Sequence, residues 1–204
     1  MTASGRIVFL GDSITEMGDK PYGYLSLIRK SLRTKYGDEY PELVNAGING
    51  NKVTDLLERL DRDVISRTPA TVVIYVGVND VWHFSKPGLT GTPKGEYESG
   101  LAEIIARIKE TGARAILCTP TVIGEKTGLS NPLDALLDEY AELSRKAAAK
   151  GGIELCDLHA IFREYLRIHN NADLSRGVLT LDGVHLSGEG NRLVADELVR
   201  FLDK

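Results

Sequence analysis

Short apolar runs alternate along the chain with stretches whose apolar residues return every three or four positions. The runs are Arg6–Leu10, Leu43–Ala46, Thr71–Val76, Arg114–Thr119 and Ile153–Asp157. Most of their residues are apolar in succession, as in "IVFL" and "TVVIYV". A strand with one wet face alternates apolar with polar residues, so unbroken runs of this length indicate strands covered on both faces. Helical spacing follows in Tyr24–Tyr36 (Leu25, Ile28, Leu32), Gly95–Thr111 (Leu101, Ile104, Ile105, Ile108), Asn131–Lys150 (Leu133, Leu136, Leu137, Tyr140, Ala147) and Ser187–Leu202 (Leu193, Val194, Leu198, Phe201). Each set lines one face of an amphipathic helix. Leu158–His169 also has helical character. Strand and helix in alternation predict an α/β protein of three layers, a parallel five-stranded sheet between helices. No repeat, low-complexity tract or linker divides the 204 residues, which read as one domain over 1–204.

Composition narrows the function classes. With 42% hydrophobic and 26% charged residues the chain is of ordinary globular type. The net charge is −4 and Lys and Arg are dispersed among Asp and Glu, which argues against nucleic acid or an anionic membrane as partner. No apolar run approaches the roughly 18 residues of a membrane span. The opening "MTASGRIVFLGDS" lacks the apolar region of a secretory signal, so a cytoplasmic location is the default expectation. Cys118 and Cys156 each sit in an apolar run and read as buried thiols. No metal is expected, because no His- or Cys-rich spacing accompanies them. No cofactor is expected either: no G-x-G-x-x-G follows the first strand, and "GEKTG" at Gly124–Gly128 lacks the spacing of a phosphate loop. Oligomeric state is not legible in the pattern.

In parallel sheets, functional groups gather beyond the carboxyl ends of the strands. The first strand is followed by Gly11-Asp12-Ser13, the second by "NAGING" (Asn45–Gly50), the third by "GVND" (Gly77–Asp80). A serine hydroxyl attacks only when a base removes its proton. His185, in "DGVH" with Asp182 three residues before it, is the histidine best placed to do so, with the carboxylate holding one ring nitrogen. Gly50 through its backbone N–H, Asn79 through its side-chain amide and Ser13 through its own N–H would receive a developing oxyanion. Asp12 and Asp80 read as loop scaffold, and His159 and His169 as surface or packing residues. Loops Val81–Lys94 and Thr121–Ser130 are expected to wall the pocket, with Trp82, His83 and Val122 as candidate substrate contacts.

These blocks, in this order, resemble those of the SGNH hydrolases, the GDSL-type esterases and lipases, over nearly the whole chain. Ile14 stands where the name motif has Leu, an exchange of one apolar residue for another. The resemblance implies a flavodoxin-like sheet of strand order 2-1-3-4-5. It also implies Ser13 as nucleophile, Asp182 and His185 as its partners, and Ser13, Gly50 and Asn79 as the oxyanion hole. The expected activity is hydrolysis of small-molecule carboxylic esters through an acyl-enzyme, with a small acyl group such as acetyl on a sugar or simple alcohol. An acyltransferase with the same residues and a catalytically silent binding protein of the same fold are the rival readings.

Overall fold

A computed structural model describes residues 5–203. The strands are β1 (Arg6–Gly11), β2 (Glu42–Gly47), β3 (Thr71–Tyr75), β4 (Arg114–Cys118) and β5 (Glu154–Cys156). Every neighbouring pair is parallel, and the order across the sheet is β2-β1-β3-β4-β5. The helices are α1 (Ser13–Glu16), α2 (Tyr24–Tyr36), α3 (Val53–Glu58), α4 (Leu60–Asp63), α5 (Val78–Trp82), α6 (Lys94–Glu110), α7 (Asp134–Gly151), α8 (Leu158–His169) and α9 (Gly188–Leu202).

The step from β1 to β2 crosses the sheet in the opposite direction from the other steps. Right-handed crossovers therefore send α2 to one face and α3, α6 and α7 to the other. The packing agrees: α2 lies against α9, and α6 lies against both α3 and α7. Connections leaving β1 and β3 thus diverge, and a crevice opens beyond their carboxyl ends.

The core forms where the two helix layers cover the central strands. Val8, Phe9 and Leu10 of β1, Val72, Val73 and Ile74 of β3, and Ile116 and Leu117 of β4 are buried. Phe9, Tyr24 and Tyr75 stack edge to face at 6.2 and 6.3 Å between ring centroids. The buried phenols are satisfied: Tyr24 Oη donates to Thr15 Oγ1 at 3.0 Å and Tyr75 Oη to Thr121 Oγ1 at 3.2 Å. Cys118 and Cys156 are buried, unoxidised partners in the β4–β5 register.

Several elements differ from the reading of the sequence. β2 and β5 are edge strands in which only Ala46 and Cys156 are buried, so their apolar runs do not mark cover on both faces. The β2–β3 crossover holds α3 and α4, each too short for a repeating apolar stripe to emerge. Val81 and Trp82, expected in a loop, close α5 instead.

Candidate active site

β1 ends at Gly11, where a Cβ would lie 2.1 Å from Thr15 Oγ1 and 2.7 Å from the Tyr75 carbonyl. A glycine is needed for the chain to turn this tightly into α1. Asp12 caps α1, its Oδ1 accepting the Ile14 N–H at 2.9 Å. Ser13 opens the helix at the crevice.

His185 arrives from a turn between α8 and α9. The Leu181 N–H bonds the His185 carbonyl at 2.7 Å, and Gly183 takes φ +99° within that turn. Asp182 Oδ1 accepts the backbone N–H groups of Val184 at 3.0 Å and His185 at 2.8 Å. Its other oxygen, Oδ2, lies 2.7 Å from His185 Nδ1, and His185 Nε2 lies 3.1 Å from Ser13 Oγ. A carboxylate only accepts, so in the neutral ring Nδ1 carries the proton and Nε2 presents its lone pair to the serine O–H. Partial burial pushes Asp182 up, but the hydrogen bonds from the His185 ring and from the two backbone N–H groups outweigh it and hold the carboxyl below its ordinary value.

The other two acids behave differently. Burial pushes Asp12 up to about 7 against the pull of the Ile14 N–H, and the nearby Asp80 adds to the rise. Burial likewise raises Asp80 to about 6. Asp80 Oδ1 accepts the Val53 N–H at 3.1 Å and so ties α5 to the start of α3.

That tie fixes the segments around Gly50 and Asn79. The Asn51 N–H closes a turn on the Ile48 carbonyl at 3.2 Å. Gly50 is the third residue of that turn at φ +77°, where a side chain would be strained. Asn79 lies in the first turn of α5, 4% exposed, and its Nδ2 donates to the Asn51 carbonyl at 3.1 Å. Gly50 and Asn79 thus belong to one hydrogen-bonded corner.

The three candidate substrate contacts separate. The Trp82 ring stands edge-on to His185, 6.2 Å between centroids, with Lys86 Nζ 3.8 Å from the centre of the indole. His83 lies in the turn after α5, facing Lys52 and Asp55. Val122 is buried and lines a different cavity, beside Lys126 and Arg163. The structure brings Trp82 to the histidine and leaves Val122 out of the cleft that holds the serine.

That cleft has a volume of about 480 Å3 and is lined by Ser13, Glu16, Met17, Lys20, Asn49, Leu181, Asp182 and His185. A second hollow of about 340 Å3, walled by Trp82, Ile123, Pro132 and Arg176 among others, adjoins it at Asp182. Of the lining residues that the sequence did not single out, Glu16 and Met17 sit three and four positions after Ser13, a spacing that shares a helix face. Asn49 and Leu181 offered no such signal. Among the described residues no group of three or more His, Cys, Asp or Glu converges as metal ligands do. Among those same residues no helix is long and apolar enough to cross a membrane.

A serine, a histidine and an aspartate linked in series at the switch point of a doubly wound parallel sheet have the form of a serine hydrolase centre. Comparison with known proteins gives the family. Residues 9–193 match the GDSL-like Lipase/Acylhydrolase family, and the chain belongs to it, as a carboxylic ester hydrolase. The chain is 30% identical over 209 residues to an acetylxylan esterase of Geobacillus stearothermophilus, covering 96% of this chain and 92% of that protein. It is 26% identical to the mouse (Mus musculus) isoamyl acetate-hydrolyzing esterase 1 homolog, covering 98% of this chain and 82% of the other. The crystal structure of the acetyl xylan esterase AlAXEase superposes with a TM-score of 0.93 at 41% identity, covering 96% of this chain and 98% of that one.

Proposed function

We propose that the whole chain acts as one serine esterase domain that removes small acyl groups, acetyl foremost, from a carbohydrate or simple alcohol. The observation that carries this reading is the continuous hydrogen-bonded series Ser13 Oγ, His185 Nε2, His185 Nδ1, Asp182 Oδ2 at 3.1 and 2.7 Å. Ser13 Oγ attacks the acyl carbon while Nε2 takes its proton. The new oxyanion is received by the Ser13 and Gly50 N–H groups and by the Asn79 amide hydrogen not given to Asn51. The imidazolium, held by Asp182, then protonates the departing alcohol. Water enters by the same route in reverse, with His185 again as base, and frees the carboxylic acid.

The walls of the cleft support a small acyl group. Glu16, Lys20, Asn49 and Asp182 are polar, and Met17 and Leu181 alone are apolar. A fatty chain needs enclosed apolar surface, about 25 cal/mol for each Å2 buried. A cleft this open encloses little such surface, whereas its carboxylates, amine and amide suit a hydroxyl-bearing alcohol. Relatives named as acetylxylan esterase and as isoamyl acetate-hydrolyzing esterase support acetyl as the acyl group and water as its acceptor.

Two measurements test the reading. A p-nitrophenyl ester series from acetate to palmitate, run beside acetylated xylo-oligosaccharides, is expected to show the highest kcat/KM at acetate and steady loss with chain length. A preference for the long esters overturns the small-acyl assignment. Ser13→Ala is expected to abolish turnover and labelling by a fluorophosphonate while leaving the melting curve in place. A variant that still turns over removes the covalent mechanism.

A further inference from the structure

The loop Gly124–Gly128 between β4 and α7 contains a carboxylate that the proposed mechanism does not use. Glu125 is 0% exposed, and its side-chain carboxylate makes its hydrogen bonds by accepting. Its Oε2 accepts the Val178 N–H at 2.8 Å. Its Oε1 accepts the Leu179 N–H at 2.7 Å, the Thr180 N–H, and the Thr180 hydroxyl at 2.6 Å. Three successive backbone amides and one hydroxyl therefore close on one side chain, immediately before the turn that carries Asp182 and His185. The linkage continues into that turn. Thr180 Oγ1 accepts the Gly183 N–H at 3.1 Å, and the Gly124 N–H bonds the Gly183 carbonyl at 2.8 Å. Thr180 also bridges to Leu186 on the far side of His185. Gly183, between the acid and the base, is thus held at both its amide and its carbonyl by the Glu125 loop or by a residue that Glu125 grips.

We infer that Glu125 is a positioning residue for the reaction: it sets the Asp182–His185 turn so that Asp182 meets Nδ1 and Nε2 meets Ser13. The inference rests on the serine esterase reading above. A buried carboxylate that answers four donors has a replacement cost set by those donors, because each one left without an acceptor in the interior is unfavourable. In Glu125→Gln the amide oxygen can still serve the Oε1 donors, but the NH2 group faces the Val178 N–H, and the two donors repel. The turn relaxes, and a misplacement of the order of 1 Å at a reacting group costs about 10²-fold. Glu125 does not line the cleft that holds Ser13, so substrate affinity has no direct contact to lose.

The experiment measures kcat and KM for acetate ester hydrolysis, per folded molecule by circular dichroism, in wild type, Ser13→Ala, His185→Ala, Glu125→Gln, Thr180→Val and Thr180→Ser. The 15N shifts of the His185 ring, identified by their loss in His185→Ala, report which nitrogen carries the proton. Glu125→Gln is expected to lower kcat by about 10-fold to 10²-fold, with KM within about twofold and the Nδ1–H form of His185 giving way to a mixture of tautomers. Thr180→Val, which cuts the link from Glu125 to Gly183, is expected to lower kcat in the same manner, and Thr180→Ser, which keeps the hydroxyl, to restore it. A wild-type kcat in Glu125→Gln, a loss confined to KM, or a loss with the ring signals unchanged overturns the inference. Should Glu125→Gln fail to fold, equal rates for Thr180→Val and Thr180→Ser overturn it. Undiminished turnover in Ser13→Ala or His185→Ala instead removes the esterase reading itself, and the inference with it.

Discussion

Asn79 spends one amide hydrogen on the Asn51 carbonyl at 3.1 Å, which sets the direction of the other. The bond is made before substrate arrives, so the donor needs no reorganisation when charge develops on the oxyanion. Asn79→Ala is expected to lower kcat by about 10²–10³-fold, the usual cost of one such donor. KM is expected to stay near its wild-type value, because the bond strengthens mainly in the transition state. Steady-state kinetics on an acetate ester checks this, and a change confined to KM would make Asn79 a ground-state binding group instead. The three acids near the site also part company at this scale. Asp182 touches His185, whereas Asp12 and Asp80 each turn one oxygen, Oδ1, to a backbone N–H, that of Ile14 and that of Val53.

Among the elements, the carboxyl ends of β1 and β2 are joined by one side chain. Arg59, between α3 and α4, is 6% exposed. Its Nη2 donates to the Gly11 carbonyl at 2.8 Å and its Nη1 to the Ala46 carbonyl at 2.8 Å. Nη1 also meets Asp63 Oδ2 at 3.0 Å, and Nε meets Asn51 Oδ1 at 2.7 Å. The fork therefore ties the strand that delivers Ser13 to the turn that delivers Gly50. Lysine keeps the charge but has a single ammonium with no planar fork, and it cannot span two carbonyls, a carboxylate and an amide at once. Arg59→Lys is expected to cost about 2–3 kcal/mol, since hydrogen bonds to a charged group contribute about 1.5–3 kcal/mol each and some are retained. Urea unfolding measures the loss, and kcat is expected to fall with it because the Gly50 turn loses its anchor to β1. A variant as stable as wild type would mean that the strand ends need no such tie.

For the whole molecule, the two buried acids set a pH dependence of stability. Folding raises Asp12 from 3.8 to about 7 and Asp80 from 3.8 to about 6, both chiefly through burial. Over that interval the folded state holds protons that the unfolded chain has released. The contribution is therefore fully present below about pH 4 and is lost as pH rises towards 7. For Asp12 alone the span corresponds to something of the order of 4 kcal/mol. Acids held low by partners, such as Asp182, Asp63 and Asp157, act in the opposite sense and at lower pH. The melting temperature is expected to fall between pH 4 and 7. In Asp12→Asn, which keeps an acceptor for the Ile14 N–H, that fall is expected to flatten. A melting series at constant ionic strength checks it, and an unchanged slope in the variant would show that Asp12 does not keep its proton on folding.

The sequence by itself determined what depends on neighbours a few positions apart. Spacings of three and four marked α2, α6, α7 and α9, and mainly apolar runs marked the five strands, because side chains within a turn or a pleat share a face whatever else the fold does. The order of the blocks singled out Ser13, Gly50, Asn79, Asp182 and His185 as candidates, since each follows a strand or precedes the last helix. Tertiary structure decided whatever depends on which faces meet. The half-buried state of β2 follows from its place at the sheet edge, which its own residues do not encode. Trp82 reaches His185 because α5 extends through it, while Val122 turns into the cavity beside Arg163. Glu125 looked like part of a failed phosphate motif, and its donors lie 53 to 55 positions further on. No local period spans that distance, so the packing of the β4–α7 loop against the segment before α9 alone creates the clamp.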